Sequence, residues 1–222
     1  MANVADAELA LGVPSGQVRL VTHLPAWAAL FDVERRRIVS ALGTLAADVQ
    51  HVGSTSVPGL LAKPILDIAI AVATPHASAQ AVARLAVIGY HDLGWRSAQV
   101  GHLLEKLGPG GRTHCIHLLP RASPHFHDYL LVRDHLRSNL AARAEYQVVK
   151  RTLALAHPQD RRAYTAAKGA EVARLIAQAR ARSAILAAAG LPFPIGGAPL
   201  HAVRHRAFSS FLLSSPTGPS SP

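Results

Sequence analysis

His51-Val52-Gly53-Ser54-Thr55-Ser56 and, after a spacer of twelve residues following Ser54, Asp67 are the residues of this chain whose types and spacing point to chemistry. A short apolar stretch turns on Gly53-Ser54-Thr55-Ser56 and passes Pro58-Gly59. It then re-enters a long apolar run, Pro64 to Ala73, that carries a single acid, Asp67. A buried strand has no structural use for a carboxylate, so Asp67 is expected to face a cleft, a metal or a cation. The turn presents backbone N–H groups and the hydroxyls of Ser54 and Thr55, as a phosphate-binding loop does. The competing reading is a tight turn with local hydrogen bonds and an Asp paired to Arg or Lys.

Other groups fall within reach of such a site by position. Lys63 opens the Asp67 strand and Arg112 follows a Gly-Pro-Gly-Gly turn; either can meet a phosphate. His51 precedes the Gly-Ser turn, and His117 lies on a strand that can neighbour Asp67, so both are candidate metal ligands. Alternation puts Cys115 and His117 on one strand face and His114 and Ile116 on the other, which argues against a joint His114–His117 site. Cys115 itself reads as a buried, inert thiol. Tyr146/Lys150 and Tyr164/Lys168 are spaced i,i+4, one helix face each. They read first as tyrosines packed under lysine stems, and otherwise as base stacking beside phosphate contacts.

The elements that must hold these residues are legible from periodicity. Val18 to Val21 is a short strand candidate. Trp27, Leu30, Phe31, Ile38, Leu42 and Leu45 recur at helical spacing after Pro25, with Glu34 to Arg37 as the polar face. Val49 to Val52 reads as a strand. On the next, Ile65, Asp67, Ala69 and Ala71 share one face and Leu66, Ile68, Ile70 and Val72 the other; both are apolar enough to be covered. Ala79 to Ile88 reads as a helix and Tyr90 to Trp95 as a strand. Leu103–Leu107 and Thr113–Leu119 flank the Gly108-to-Gly111 turn as an antiparallel pair. Ser123 is an N-cap with Pro124 at the first helical position, and helices follow over about 124–138, 140–156 and 158–188. The fold class is α+β, a mixed sheet with helices against it and a helical C-terminal section. Residues 1–16 read as a loose leader, 17–189 as one domain, and 190–222, rich in Pro, Gly and Ser, as a disordered tail.

Composition narrows the partners. The 222 residues carry 23 Lys and Arg against 13 Asp and Glu, a net charge of +10. That balance favours a nucleotide, nucleic acid bound through basic helices, or another acidic partner, against the plainer reading of a solvated basic face. One cysteine excludes an intrachain disulfide and suits a reducing, cytoplasmic setting. No signal peptide and no membrane-spanning apolar stretch is read. The thirteen histidines are too scattered for a zinc motif.

The stretch from His51 to Ile70 resembles the GrpB family, within the nucleotidyltransferase-fold superfamily. The superfamily pattern is a hydrophobic residue, Gly, Gly or Ser, a spacer, then Asp-hydrophobic-Asp/Glu-hydrophobic. Here Val52-Gly53-Ser54 and Asp67-Ile68-Ala69-Ile70 match it, except that Ala69 stands where the second carboxylate belongs. The likeness extends over about residues 17 to 185, through Trp27, Thr113-His114-Cys115-Ile116-His117, Leu131 to Arg137, and the Tyr146/Lys150 and Tyr164/Lys168 helices. It implies a nucleotidyltransferase-like sheet and a nucleotide or phosphorylated small molecule held by Gly53, Ser54 and Thr55. It also implies Asp67 as the catalytic acid and ligand of a magnesium ion. Two-metal transfer needs carboxylates that bridge both ions, so Ala69 leaves open a non-catalytic binding or accessory module. The family's occurrence fused to dephospho-CoA kinase implies a link of that kind to coenzyme A biosynthesis.

Overall fold

Five strands form one mixed sheet in the order β1-β2-β5-β4-β3. In this computed structural model, which describes residues 8–97 and 100–192, the strands are β1 (Ala46–Val52), β2 (Leu66–Val72), β3 (His91–Ser97), β4 (Gly101–Gly108) and β5 (Gly111–Pro120). β1 runs antiparallel to β2, β2 parallel to β5, and β5, β4 and β3 are successively antiparallel. The helices are α1 (Ala26–Leu42), α2 (Pro75–Val87), α3 (Pro124–Ser138), α4 (Leu140–Ala156), α5 (Arg161–Ala167) and α6 (Gly169–Ala188). This is the α+β arrangement expected from the sequence, a mixed sheet packed with helices and followed by C-terminal helices. Among the described residues no helix is long and apolar enough to cross a membrane.

The period of two along β2 divides the molecule. Leu66, Ile68, Ile70 and Val72 pack against Trp27, Leu30, Ile38 and Leu42 of α1 and Ala81 and Leu85 of α2. Ala69 and Ala71, with Val52 and Leu119, meet Phe126, Tyr129 and Leu130 of α3. Both faces of β2 are therefore covered, as the unbroken apolar run requires, but α3 covers only the end beyond Ala69. Asp67 lies before that cover. The loop leaving the Gly-Ser turn is clamped from above: Val57 and Leu60 pack with Leu136, Ala142, Tyr146 and Leu175 of α3, α4 and α6. These helices begin where their caps dictate. Ser123 accepts a hydrogen bond from His125 N–H with Pro124 following, Asn139 caps Ala142 N–H, and Asp160 caps Ala163 N–H.

Three expectations need correction. Val18–Val21 is not a strand: its sheet-like pairing is one bridge, Val21 to Ala62. Residues 8–16 are not loose, because Leu11 and Val13 are buried and Val13 bridges to Arg112; residues 1–7 lie outside the described residues. The helix expected over 158–188 is two, divided at Lys168-Gly169. Of the tail, residues 193–222 lie outside the described residues.

Glu34, read as part of a solvated face, is only 3 % exposed. It accepts hydrogen bonds from Tyr90 Oη at 3.0 Å and Lys106 Nζ at 2.9 Å, partners brought by the sheet. Burial would raise its carboxyl, but Lys106, His114 and Tyr90 outweigh that and hold it below its ordinary 4.5. A depressed acid stabilises the fold above its unfolded value, and that contribution disappears as pH falls through the lower folded value. Acid denaturation of the wild type should therefore steepen below pH 4.5. Lys106→Met should remove that depression, lower stability most near neutral pH and flatten its fall below pH 4.5, read by urea unfolding at a series of pH values.

Candidate functional site

Register brings the chemistry together. Val52 pairs with Asp67 across β1 and β2, so the chain turns at Gly53 directly beside the Asp67 carboxylate. Gly53 has φ +68° and ψ −170°, a region essentially reserved for glycine. A Cβ placed there would lie 2.8 Å from Asp67 Cβ and 2.9 Å from its Cγ. Glycine is thus required twice, by backbone conformation and by the approach of the acid. Ser54 therefore follows the residue that meets the Asp67 carboxylate.

On the other side of β2, Asp67 pairs with Cys115 and Ala69 with His117 of β5. Cys115 and His117 therefore share the Asp67 face. His114 points the other way, with its ring against Tyr90. The donor atoms of Asp67, Cys115 and His117 all lie within 4.8 Å of one another. His117 Nε2 is 3.9 Å from Asp67 Oδ1, and its Nδ1 is hydrogen-bonded at 2.9 Å to the Tyr129 hydroxyl of α3. The Asp67 side chain is 35 % exposed although desolvation is the largest influence on its carboxyl; a group at the floor of a narrow cleft has both properties. Desolvation would raise it, but His117, Lys63 and Lys168 hold it below its usual range. Burial opposes charge on His117, yet Tyr129, Cys115 and Asp67 outweigh it and raise the imidazolium well above ordinary histidine.

Three lysines converge on this floor. Lys150 of α4 is buried, and its Nζ donates to Ser54 Oγ at 2.8 Å and to the carbonyl of Leu61. Burial, then the charges of Lys168 and Lys63, push its ammonium well below the lysine range. Lys63 is lowered to about 8, first by burial and then by Lys168. Lys168 is raised instead: burial is outweighed by Tyr146, Tyr164 and Asp67. Lys63 and Lys168 lie 5.5 and 5.7 Å from the centre of the Tyr164 ring, and Lys150 lies 5.4 Å from that of Tyr146, cation–π distances. The Tyr146/Lys150 and Tyr164/Lys168 pairs are thus not simple surface packing. Their i,i+4 spacing was the available signal; that two helices turn both pairs onto one turn is a tertiary fact.

Other sequence candidates lie elsewhere. Arg112 is held by Glu105 across the β4–β5 hairpin rather than turned to the turn. Thr55 is buried, donating to the Ile65 carbonyl at 3.2 Å and bonded to His51 at 3.0 Å, so its hydroxyl is consumed inside the turn. His51 pairs with Ile68, which puts it on the face opposite Asp67. It stacks on Phe31 at 4.7 Å and lines a separate cavity of about 410 Å³ with His23, Ser56 and Arg137. Burial depresses its imidazole to about 3. The structure does not bring His51 to an ion at Asp67.

Magnesium is a poor fit to the resident donors. It takes oxygen ligands in near-octahedral geometry. Here one carboxylate is flanked by a thiol and an imidazole, and Ala69 supplies nothing.

Comparison with known proteins identifies the family. The chain is 40 % identical over 151 residues to a UPF0157 protein of Streptomyces coelicolor, covering 68 % of this chain and 78 % of that one. It is 31 % identical over 176 residues to a dephospho-CoA kinase of Mycolicibacterium paratuberculosis, covering 68 % of this chain but 43 % of the kinase. The crystal structure of the conserved protein GrpB from Enterococcus faecalis superposes with a TM-score of 0.68 at 30 % identity, over 74 % of this chain and 98 % of that one. The GrpB protein family matches residues 17–178, the span that contains the turn, the acid and both lysine-bearing helix pairs. On that match, the chain belongs to the GrpB family.

Proposed function

We propose that the cleft between the Gly53–Ser54 turn and helices α4 to α6 binds a nucleotide or a phosphorylated small molecule. The observation that carries this reading is the convergence of Lys63, Lys150 and Lys168 around one carboxylate beside a glycine turn. Cations this close repel one another and stay together at a cost that a polyanion would offset. Backbone N–H groups at Ser54 and Thr55 add uncharged donors. Tyr146 and Tyr164 are buried, and their ring faces hold Lys150, Lys63 and Lys168 in place.

Ala69 favours binding over transfer. A single carboxylate provides no bridge between two ions, so the reading is of a binding protein, with nucleotidyl transfer the rival outcome. The match to part of a dephospho-CoA kinase makes coenzyme A precursors reasonable members of a ligand panel.

A thermal-shift screen of nucleotides and phosphorylated metabolites, with and without magnesium, tests this directly. A ligand should raise the melting temperature of the wild type and not of Lys168→Met. The pH dependence is specific. Lys63 is cationic below about 8, so anion affinity should fall as pH rises through that value, and Lys63→Met should flatten the profile. Lys168, Asp67 and Arg161 set the field at Lys63. Nucleic acid bound across basic helices would instead show affinity that falls steeply with salt. No stabilisation by any member of the panel at any pH would sink the reading.

A further inference from the structure

We propose that Asp67, Cys115 and His117 bind a divalent transition ion of the zinc type, with one coordination position open to the cleft. This goes beyond the nucleotide reading and stands without it.

The parallel pairing of β2 and β5 creates the donor set. Asp67 lies opposite Cys115, and His117 follows two residues on, so all three project from one face. Their donor atoms fall within 4.8 Å of one another. Tetrahedral zinc, with bonds of about 2.0–2.3 Å, needs ligand–ligand separations of about 3.3–3.8 Å. The Asp67–His117 distance is already 3.9 Å, so small side-chain rotations close the site. One oxygen, one nitrogen and one sulfur are donors zinc accepts and magnesium does not.

The surroundings fit too. Tyr129 holds His117 Nδ1, which leaves Nε2 as the nitrogen facing Asp67. Metal-bound histidines are commonly fixed in this way through the second ring nitrogen. Cys115 is buried whereas Asp67 is partly exposed, so three ligands come from the protein side and the fourth position faces solvent. On coordination the Cys115 thiol and the His117 imidazolium each release a proton to solvent. The resulting thiolate and the Asp67 carboxylate together balance the charge of the ion, so Lys63 and Lys168 meet no added net cation.

Cobalt titration of the reduced, full-length protein tests the proposal, because sulfur and tetrahedral geometry leave distinct absorption signatures. One equivalent should produce a near-ultraviolet sulfur-to-cobalt band with intense visible bands. Zinc should erase both, and magnesium should not. Cys115→Ser removes the only thiol, so it should abolish the near-ultraviolet band. His117→Gln should weaken cobalt binding about tenfold or more, as should Tyr129→Phe, which leaves all three ligands in place. Circular dichroism establishes that each variant is folded. Lys150→Met should keep the cobalt bands whether or not it binds nucleotide, which separates this inference from the previous reading. Absence of a sulfur band in the wild type would overturn it. So would a histidine-only spectrum unchanged in Cys115→Ser, or affinity unchanged in both His117→Gln and Tyr129→Phe.

Discussion

Gly53→Ala is expected to lose ligand binding outright, while Gly59→Ala keeps it. Both glycines have positive φ, +68° and +76°, so both substitutions strain the backbone, by about 1–3 kcal/mol each. The difference lies in the space around them. A methyl at Gly59 meets no atom within 4 Å, whereas one at Gly53 collides with the Asp67 carboxylate. Gly53→Ala must displace either the turn or the acid, and both belong to the proposed site. Urea unfolding should thus rank the two variants closer together than their binding curves do. Equal binding by the two would show that the contact between Gly53 and Asp67 has no part in recognition.

Arg133→Met is expected to destabilise the protein by about 3–5 kcal/mol, the range for leaving one member of a buried ion pair alone. Arg133 is 4 % and Asp134 1 % exposed. The guanidinium donates to Asp134 through Nε at 2.7 Å and Nη2 at 3.0 Å. Its Nη1 reaches Gln50 at 2.9 Å and the His51 carbonyl at 3.1 Å. It therefore ties α3 to the end of β1, immediately before the Gly-Ser turn. Loss of the arginine strands the carboxylate and unfastens the turn. Arg137, 3.5 Å from Asp134, lies too far to replace the bidentate geometry. Chemical denaturation measures the effect, and a loss below about 1 kcal/mol, the level of an exposed pair, would contradict it.

The sequence was most readable where one local rule sufficed. The apolar run of β2 and its lone acid predicted a covered strand with Asp67 at an opening. The Gly-Pro-Gly-Gly turn predicted the β4–β5 hairpin, and Ser123-Pro124 the start of α3. What escaped was set by register or by distant partners. His51 and Asp67 both flank the turn, but Val52 opposite Asp67 turns His51 to the other face, and one shifted residue would have reversed this. Glu34 looked solvated because Tyr90 and Lys106 are far away in the chain. Arg112 looked available because Glu105 sits across a hairpin whose register was not known. Lys150 lies on α4 and Lys168 at the junction of α5 and α6, and only the packing of these elements makes them a pair.

The most direct test of the lysine cleft is a crystal structure with the ligand that stabilises the protein most, grown near pH 7. The account predicts phosphate oxygens within hydrogen-bond reach of Lys63 and Lys168 and on the backbone of the Gly53–Ser54 turn. A ligand seated instead in the cavity lined by His23, His51 and Arg137, with the lysines untouched, would contradict it.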